Sequence, residues 1–157
     1  MLRKIRHKKV QTCGGTFAIV ASRYNARYVD AMVRAAQAEL LRAGAEVQVV
    51  RVPGAYEIPV VAKRLARVSL SAIICLGVIL RGETVHAAHI GEAVSRALMQ
   101  IQLAHEIPVV HEVLLLENEG QARVRCLGKK HNRGTEAAQT ALAMARVMKS
   151  LDGKGAF

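Results

Sequence analysis

Tryptophan is absent from the 157 residues, and three tyrosines with two phenylalanines make up the whole aromatic complement. A surface that stacks successive bases interleaves rings with basic side chains, so this poverty argues against nucleic acid as a partner. Cysteine is nearly as scarce. Cys13, Cys75 and Cys126 are odd in number, far apart, and form no CxxC pair. That excludes a disulfide framework and a zinc knuckle, and it suits a reducing, cytoplasmic location. Long apolar runs are missing too: the longest, Ala72 to Leu80, stops at Arg81. At roughly half the length of a bilayer span, it reads as a buried strand, and no membrane partner is expected. The segment Met1 to Val10 is charged and lacks the apolar stretch of a secretion signal. No linker, internal repeat or low-complexity segment divides the remainder. The expectation is a single domain over 16–157, preceded by a basic arm over 1–15.

What is present is a core. Hydrophobic residues make up 52% of the chain, which excludes disorder, and the length allows one compact domain to bury most of its apolar surface. The net charge is +11. Arg3, Lys4, Arg6, Lys8 and Lys9 supply five of those charges within the first ten residues, leaving +6 on the rest. Such an arm can touch nucleic acid or a membrane surface; a solvated terminus is the plainer reading. If the arm did bind nucleic acid, binding would weaken steeply with salt and vanish on removal of residues 1–10. A second cluster, Arg123, Arg125, Lys129, Lys130 and Arg133, sits inside the folded part and is the better candidate for holding an anionic substrate.

Strand and helix patterns alternate along the chain. Phe17 to Ala21 is a short apolar run ending in the polar turn Ser22–Asn25. Met32, Val33, Ala36 and Leu40 recur at helical spacing within Val29 to Leu41, closed by Gly44. Val47 to Val52 is β-branched and stops at Pro53-Gly54. Ile58, Val61, Leu65 and Val68 suit a helix over Glu57 to Val68, with Pro59 tolerated in its first turn. Ala72 to Leu80 is apolar on both faces, as a central parallel strand should be. A long helix marked by Ile90, Val94, Leu98 and Ile101 ends before Pro108, and Val109 to Leu116 is the last strand. A short helix near Gly120 to Leu127 and a final one from about Thr135 to Leu151 follow. The expected fold is a small α/β/α sandwich with a four-stranded, mainly parallel sheet. A sheet this small often completes itself through neighbouring subunits.

In such folds ligands sit beyond the carboxyl ends of the strands, where the winding reverses. Three polar clusters fall there: Ser22–Asn25, Pro53–Glu57 and Arg81–His86. They are expected to meet. Gly82-Glu83-Thr84 leads into the long helix, whose unpaired N–H groups could cradle a phosphate. The alternative is an ordinary helix start with Thr84 as its N-cap. His86, in the first turn, can move protons near neutral pH. His86 and His89 could share a helix face, but no Cys or carboxylate trio completes a metal site, so no metal is expected. His105, at a helix end, reads as a surface or capping residue, and Met32, Met99, Met144 and Met148 as packing.

The segments Val52-Pro53-Gly54-Ala55-Tyr56-Glu57-Ile58-Pro59 and Gly77 to His86 (GVILRGETVH) resemble the lumazine synthase family. The likeness continues through Ser22-Arg23-Tyr24-Asn25, Glu117-Asn118, Gln121-Ala122 and Asn132-Arg133-Gly134, in the family's order and at about its spacing. It covers the chain from Phe17 to Met148. The family's architecture is flavodoxin-like, in agreement with the winding above. The resemblance implies a transferase of riboflavin biosynthesis, with two small-molecule substrates: 5-amino-6-(D-ribitylamino)uracil and L-3,4-dihydroxy-2-butanone 4-phosphate. Amine and ketone form an imine, phosphate is eliminated, and ring closure gives 6,7-dimethyl-8-ribityllumazine. No cofactor is implied.

By match to the family's motifs, His86 is the proton-transfer residue. Glu83, Thr84 and Arg125 fall where phosphate is held, Tyr24 where a ring stacks on the pyrimidine, and Asn25, Ala55, Tyr56 and Glu57 where the ribityl chain and ring are hydrogen-bonded. Val78, Ile79 and Leu80 line the slot, while residues matching His111, Arg125 and Arg133 arrive from an adjacent subunit. Tyr24 and Tyr56 stand where phenylalanine is usual, His111 replaces another phenylalanine, Arg133 a lysine, and Lys130-His131 a more glycine-rich stretch. These departures bear on pyrimidine binding and leave room for a different reading, a catalytically weak paralogue that binds a flavin or pterin-like ligand. The resemblance also implies homopentamers, which in some members close into a sixty-subunit icosahedral shell. No insertion relative to the shell-forming pattern interrupts 125–134.

Overall fold

The computed structural model describes residues 14–153. Cys13 and most of the basic arm expected over 1–15 lie outside them. Gly14 and Gly15 are tied to the fold: Gly14 N–H donates to the Ala43 carbonyl (3.3 Å), and Glu46 N–H donates to the Gly15 carbonyl (2.8 Å). Four strands, β1 (Thr16–Ser22), β2 (Glu46–Val52), β3 (Ala72–Leu80) and β4 (Val109–Leu116), form a wholly parallel sheet in the order β2-β1-β3-β4. Between and after them run α1 (Ala26–Arg42), a 3-10 turn (Ala55–Glu57), α2 (Ile58–Leu65), α3 (His86–His105), α4 (Glu119–Cys126) and α5 (Arg133–Asp152).

The sheet is covered on both faces, so its middle strand has no polar side. β3 is buried along its length except at Leu80. One core joins the sheet to α1, α4 and α5 through Met32, Leu40, Ala122, Ala138 and Leu142; the other joins it to α2 and α3 through Ile58, Ala62, Val94 and Leu98. This is the three-layer sandwich expected from the alternation. The ends of β3 and β4 coincide with the expected ones, because charge or proline bounds each apolar run. α2 is shorter than the spacing implied. Its chain enters as a 3-10 turn and leaves the helix after Leu65, with Pro59 in the first turn as expected. α1 ends at Arg42 with Ala43 as its C-cap, and Gly44 beyond it holds φ +74, the left-handed position that favours glycine.

Two asparagines from the resemblance motifs turn out to cap helices. Asn118 accepts from Gln121 N–H (2.9 Å), and Gln121 Oε1 accepts in return from Glu117 N–H (3.0 Å). Asn132 accepts from Gly134 N–H (2.8 Å) and donates to the Cys126 carbonyl (2.8 Å), binding the end of α4 to the start of α5. Each exchange satisfies backbone groups that a helix end leaves unpaired. No helix among the described residues is long and apolar enough to cross a membrane.

Candidate active site

The winding reverses between β1 and β3, and the three loops beyond the strand ends meet there. Arg23 N–H donates to the Val52 carbonyl (2.7 Å) and Tyr24 N–H to the Pro53 carbonyl (3.0 Å), so the β1 and β2 exits are knitted together. Asn25 ties them to β3 itself. It adopts a left-handed backbone (φ 56), which asparagine tolerates, and its Nδ2 donates to the Val78 carbonyl at 2.7 Å rather than capping α1. Val78 and Ile79 are buried, Leu80 half-buried, and Ala55 closes the floor under the 3-10 turn. The rings of Tyr24 (75% exposed) and Tyr56 (65%) stand out of this floor, and Glu57 is exposed beside them.

The third loop leads to the proton-transfer candidate. Arg81 to His86 are all exposed, with Arg81 paired to Glu117 across the strand ends (2.8 Å). α3 begins at His86, and Val85 holds the N-cap position without a side-chain bond. Thr84 nonetheless acts as a weak cap, its Oγ1 accepting from His86 N–H at 3.4 Å. A Cβ on Gly82 would meet nothing within 4 Å, so the backbone beside Glu83 is open to an approaching group.

The remaining candidates belong to other layers. Arg125, half-buried on α4, donates from Nη1 to the Gln121 carbonyl (3.3 Å). Its neighbours are taken up by acids, Arg123 by Glu119 (3.3 Å) and Arg133 by Glu136 (2.9 Å), whereas among the described residues no carboxylate pairs with Arg125. His111 on β4 faces α3. Val113 N–H donates to its Nδ1 (3.1 Å), which leaves the ring proton on Nε2 for Ser95 Oγ at 2.7 Å. Desolvation against α3 lowers the His111 pKa from its ordinary value, in keeping with a neutral ring. α4 and α3 cover opposite faces of the sheet, so within one copy His86 and Arg125 belong to different layers.

An open groove of about 360 Å³ runs elsewhere, along His89, Glu92, Ala93, Arg96, Ala97 and Gln100. Lined by a single helix, it has no second wall to enclose a reactant. Among the described residues no three His, Cys, Asp or Glu side chains gather as metal ligands. Burial pushes the Cys75 and Cys126 thiols up to about 12, far from nucleophilic thiolates.

A family model described as 6,7-dimethyl-8-ribityllumazine synthase matches residues 14–149. This chain belongs to that family. The 6,7-dimethyl-8-ribityllumazine synthase of Stenotrophomonas maltophilia (strain R551-3) is 41% identical over 139 residues, covering 86% of this chain and 90% of its own length. That of Xylella fastidiosa (strain 9a5c) is 40% identical over 146 residues, covering 90% and 95%. That of Xanthomonas oryzae pv. oryzae (strain PXO99A) is 41% identical over 139 residues, covering 86% and 90%. The flavodoxin-like winding expected for a lumazine synthase family member is the one observed. Ligand binding without turnover is not the favoured reading, since every one of these relatives is named as a synthase.

Reading by motif left out two side chains beside the candidate residues. Ser95, which meets the His111 ring at Nε2, lies nine positions beyond His86 and carries no spacing signal. Glu112 was legible as an oddity, a carboxylate in the inward row of a β-strand. Burial pushes its pKa up to about 7, with Arg133 pulling it down and Glu136 pushing it up.

Proposed function

We propose that this chain condenses 5-amino-6-(D-ribitylamino)uracil with L-3,4-dihydroxy-2-butanone 4-phosphate, giving 6,7-dimethyl-8-ribityllumazine, phosphate and water in riboflavin biosynthesis. The observation that carries this reading is the joining of the β1 exit loop to β3 through Asn25 and Val78, beside the β2 exit, with His86 opening the helix that follows β3. Holding two reactants in register replaces a bimolecular encounter with an oriented one. Tyr24 offers an exposed ring for the flat pyrimidine. Asn25 has committed Nδ2 to Val78, which leaves Oδ1 to accept from a ribityl hydroxyl. Ala55, Tyr56 and Glu57 border the ring and chain, and Val78, Ile79 and Leu80 form the apolar wall. Glu83, Thr84 and the free N–H groups at the start of α3 hold the phosphate together with Arg125. His86 takes the amine proton as the imine forms and returns it as phosphate leaves.

His111, Arg125 and Arg133 enter from a neighbouring copy, so the working unit is a homo-oligomer. A pentamer, alone or multiplied into a sixty-subunit shell, satisfies this. The opposite-layer placement of α3 and α4 supports a shared site, because one chain would have to reach around its own sheet to join His86 and Arg125. Co-assembly of His86→Ala with Arg125→Ala subunits is expected to give a kcat/KM for the keto-phosphate above that of either variant alone, because some sites then hold both intact groups; a value no higher than the better variant's would refute the shared site. The scarcity of paired cysteines supports a cytoplasmic setting.

The reaction itself is tested by mixing purified protein with both substrates and following the lumazine chromophore against the spontaneous rate. No acceleration anywhere near neutral pH refutes the assignment. His86→Ala is expected to lower kcat by about tenfold or somewhat more, at the low end of general acid–base effects because amine and ketone already combine unaided. Wild-type turnover in that variant removes His86 from the mechanism.

A further inference from the structure

His111 is held at both ring nitrogens. Val113 N–H donates to Nδ1 (3.1 Å), and Ser95 Oγ of α3 lies 2.7 Å from Nε2. Because Nδ1 accepts, the ring proton sits on Nε2 and points at the serine oxygen. Among the described residues β4 ends the sheet, with β3 on its other side, and the N–H that meets the ring is one the ladder leaves unpaired. Rotation of a histidine ring about its terminal torsion is otherwise broad. Hydrogen bonds to ring nitrogens lie near the ring plane, so one at each nitrogen fixes the tilt.

Both polar positions are thereby used within the chain. What His111 can still offer a ligand is a flat face. Burial against α3 lowers its pKa, which keeps that face uncharged near neutral pH. The charges that flank Ser95 along α3, Glu92 and Arg96, pair with each other (2.6 Å). On β3 the register partner of His111 is Cys75, a buried thiol.

We propose that Ser95 is a positioning residue for the pyrimidine substrate, holding the His111 ring so that its face lies against the pyrimidine in the neighbouring copy's site. The proposal rests on the reading that His111 enters that site. A histidine stands here where phenylalanine is usual, and its ring is smaller and polar. A free imidazole in a stacking position would swing, and would turn an N–H donor toward the ligand or water. Ser95 occupies that donor, so the histidine stacks as a phenylalanine would. The serine never touches the substrate. Its effect is on the angle and polarity of the ring that does.

The test measures kcat and KM for each substrate in the assembled enzyme. Ser95→Ala keeps a good helix former at an exposed position of α3 and removes only the hydroxyl. It is expected to raise KM for the pyrimidine about fivefold, the worth of one ordinary hydrogen bond, with kcat and KM for the keto-phosphate near wild type. Ser95→Thr, which restores the hydroxyl, is expected to bring the pyrimidine KM back toward wild type. In a His111→Phe background Ser95→Ala is expected to change nothing further, because a phenyl ring has no nitrogen for the hydroxyl to hold. A merely structural serine would give the same rise in both backgrounds, and that result overturns the proposal. So does a wild-type pyrimidine KM in Ser95→Ala when His111→Ala raises it, which leaves His111 in the site and removes Ser95 alone. If His111→Ala leaves the pyrimidine KM unchanged, the placement of His111 falls, and the role of Ser95 with it.

Discussion

Arg125→Ala is expected to raise KM for the keto-phosphate by roughly two orders of magnitude while kcat changes only a few-fold. A guanidinium that binds phosphate through two parallel, charge-assisted hydrogen bonds contributes about 1.5–3 kcal/mol, and each 1.4 kcal/mol is a factor of ten. Arg125 can deliver the upper part of that range because its intramolecular bond is to a neutral carbonyl, that of Gln121, which leaves its charge uncancelled. Arg123 and Arg133 are both partly neutralised by acids of their own helices. Arg125→Lys is expected to recover only part of the loss, since an ammonium keeps the charge and gives up the planar fork. Inhibition by inorganic phosphate provides an independent check, and it should weaken in step with KM. Saturation by the keto-phosphate at wild-type concentrations in Arg125→Ala would remove this arginine from the phosphate site.

Gly134→Ala is expected to cost about 3 kcal/mol of folding stability, at the upper end for an overpacked site. Gly134 lies in the first turn of α5 where that helix crosses α1, and a Cβ there would overlap the backbone of Met32, its carbonyl oxygen most of all. A backbone carbonyl inside a helix cannot turn away as a flexible side chain can. The two helices must therefore separate, loosening a core that includes Ala137, Ala138 and Met32. For a domain of this length the midpoint of thermal unfolding should fall by roughly 10 °C. Urea denaturation of Gly134→Ala beside Gly44→Ala, where an added Cβ meets nothing but φ is +74, separates crowding from backbone strain. Equal stability of Gly134→Ala and wild type would mean that α5 can shift without penalty.

The second of these effects was not visible before the fold was known. Gly134 was legible as part of the motif Asn132-Arg133-Gly134, but nothing in its neighbours along the chain announces Met32, about a hundred residues earlier. Glu112 is similar. Its place in the alternation Val110-x-Glu112-x-Leu114 marks it as unusual, whereas its nearness to Arg133 and Glu136, which push its ionisation in opposite senses, appears only once α5 lies over β4. Ser95 and His111 are joined across a helix and a strand, and the tautomer of the ring follows from Val113 N–H, which donates to Nδ1. Asn25 was legible as a turn residue beside Tyr24; that its amide reaches β3 was not.

The order and type of the elements, the bounds of β3 and β4, the parallel winding and the meeting of the three loops were all determined by the sequence alone. Each of these follows from hydrophobic period and from the residues that interrupt it, which act over a few neighbours. Which charges face one another, which glycine is irreplaceable and which imidazole nitrogen keeps its proton were decided by the tertiary structure. Those depend on how rows of side chains from separate layers come into contact, and a linear chain carries no local signal of the distance between two rows until the sheet has been wound and covered.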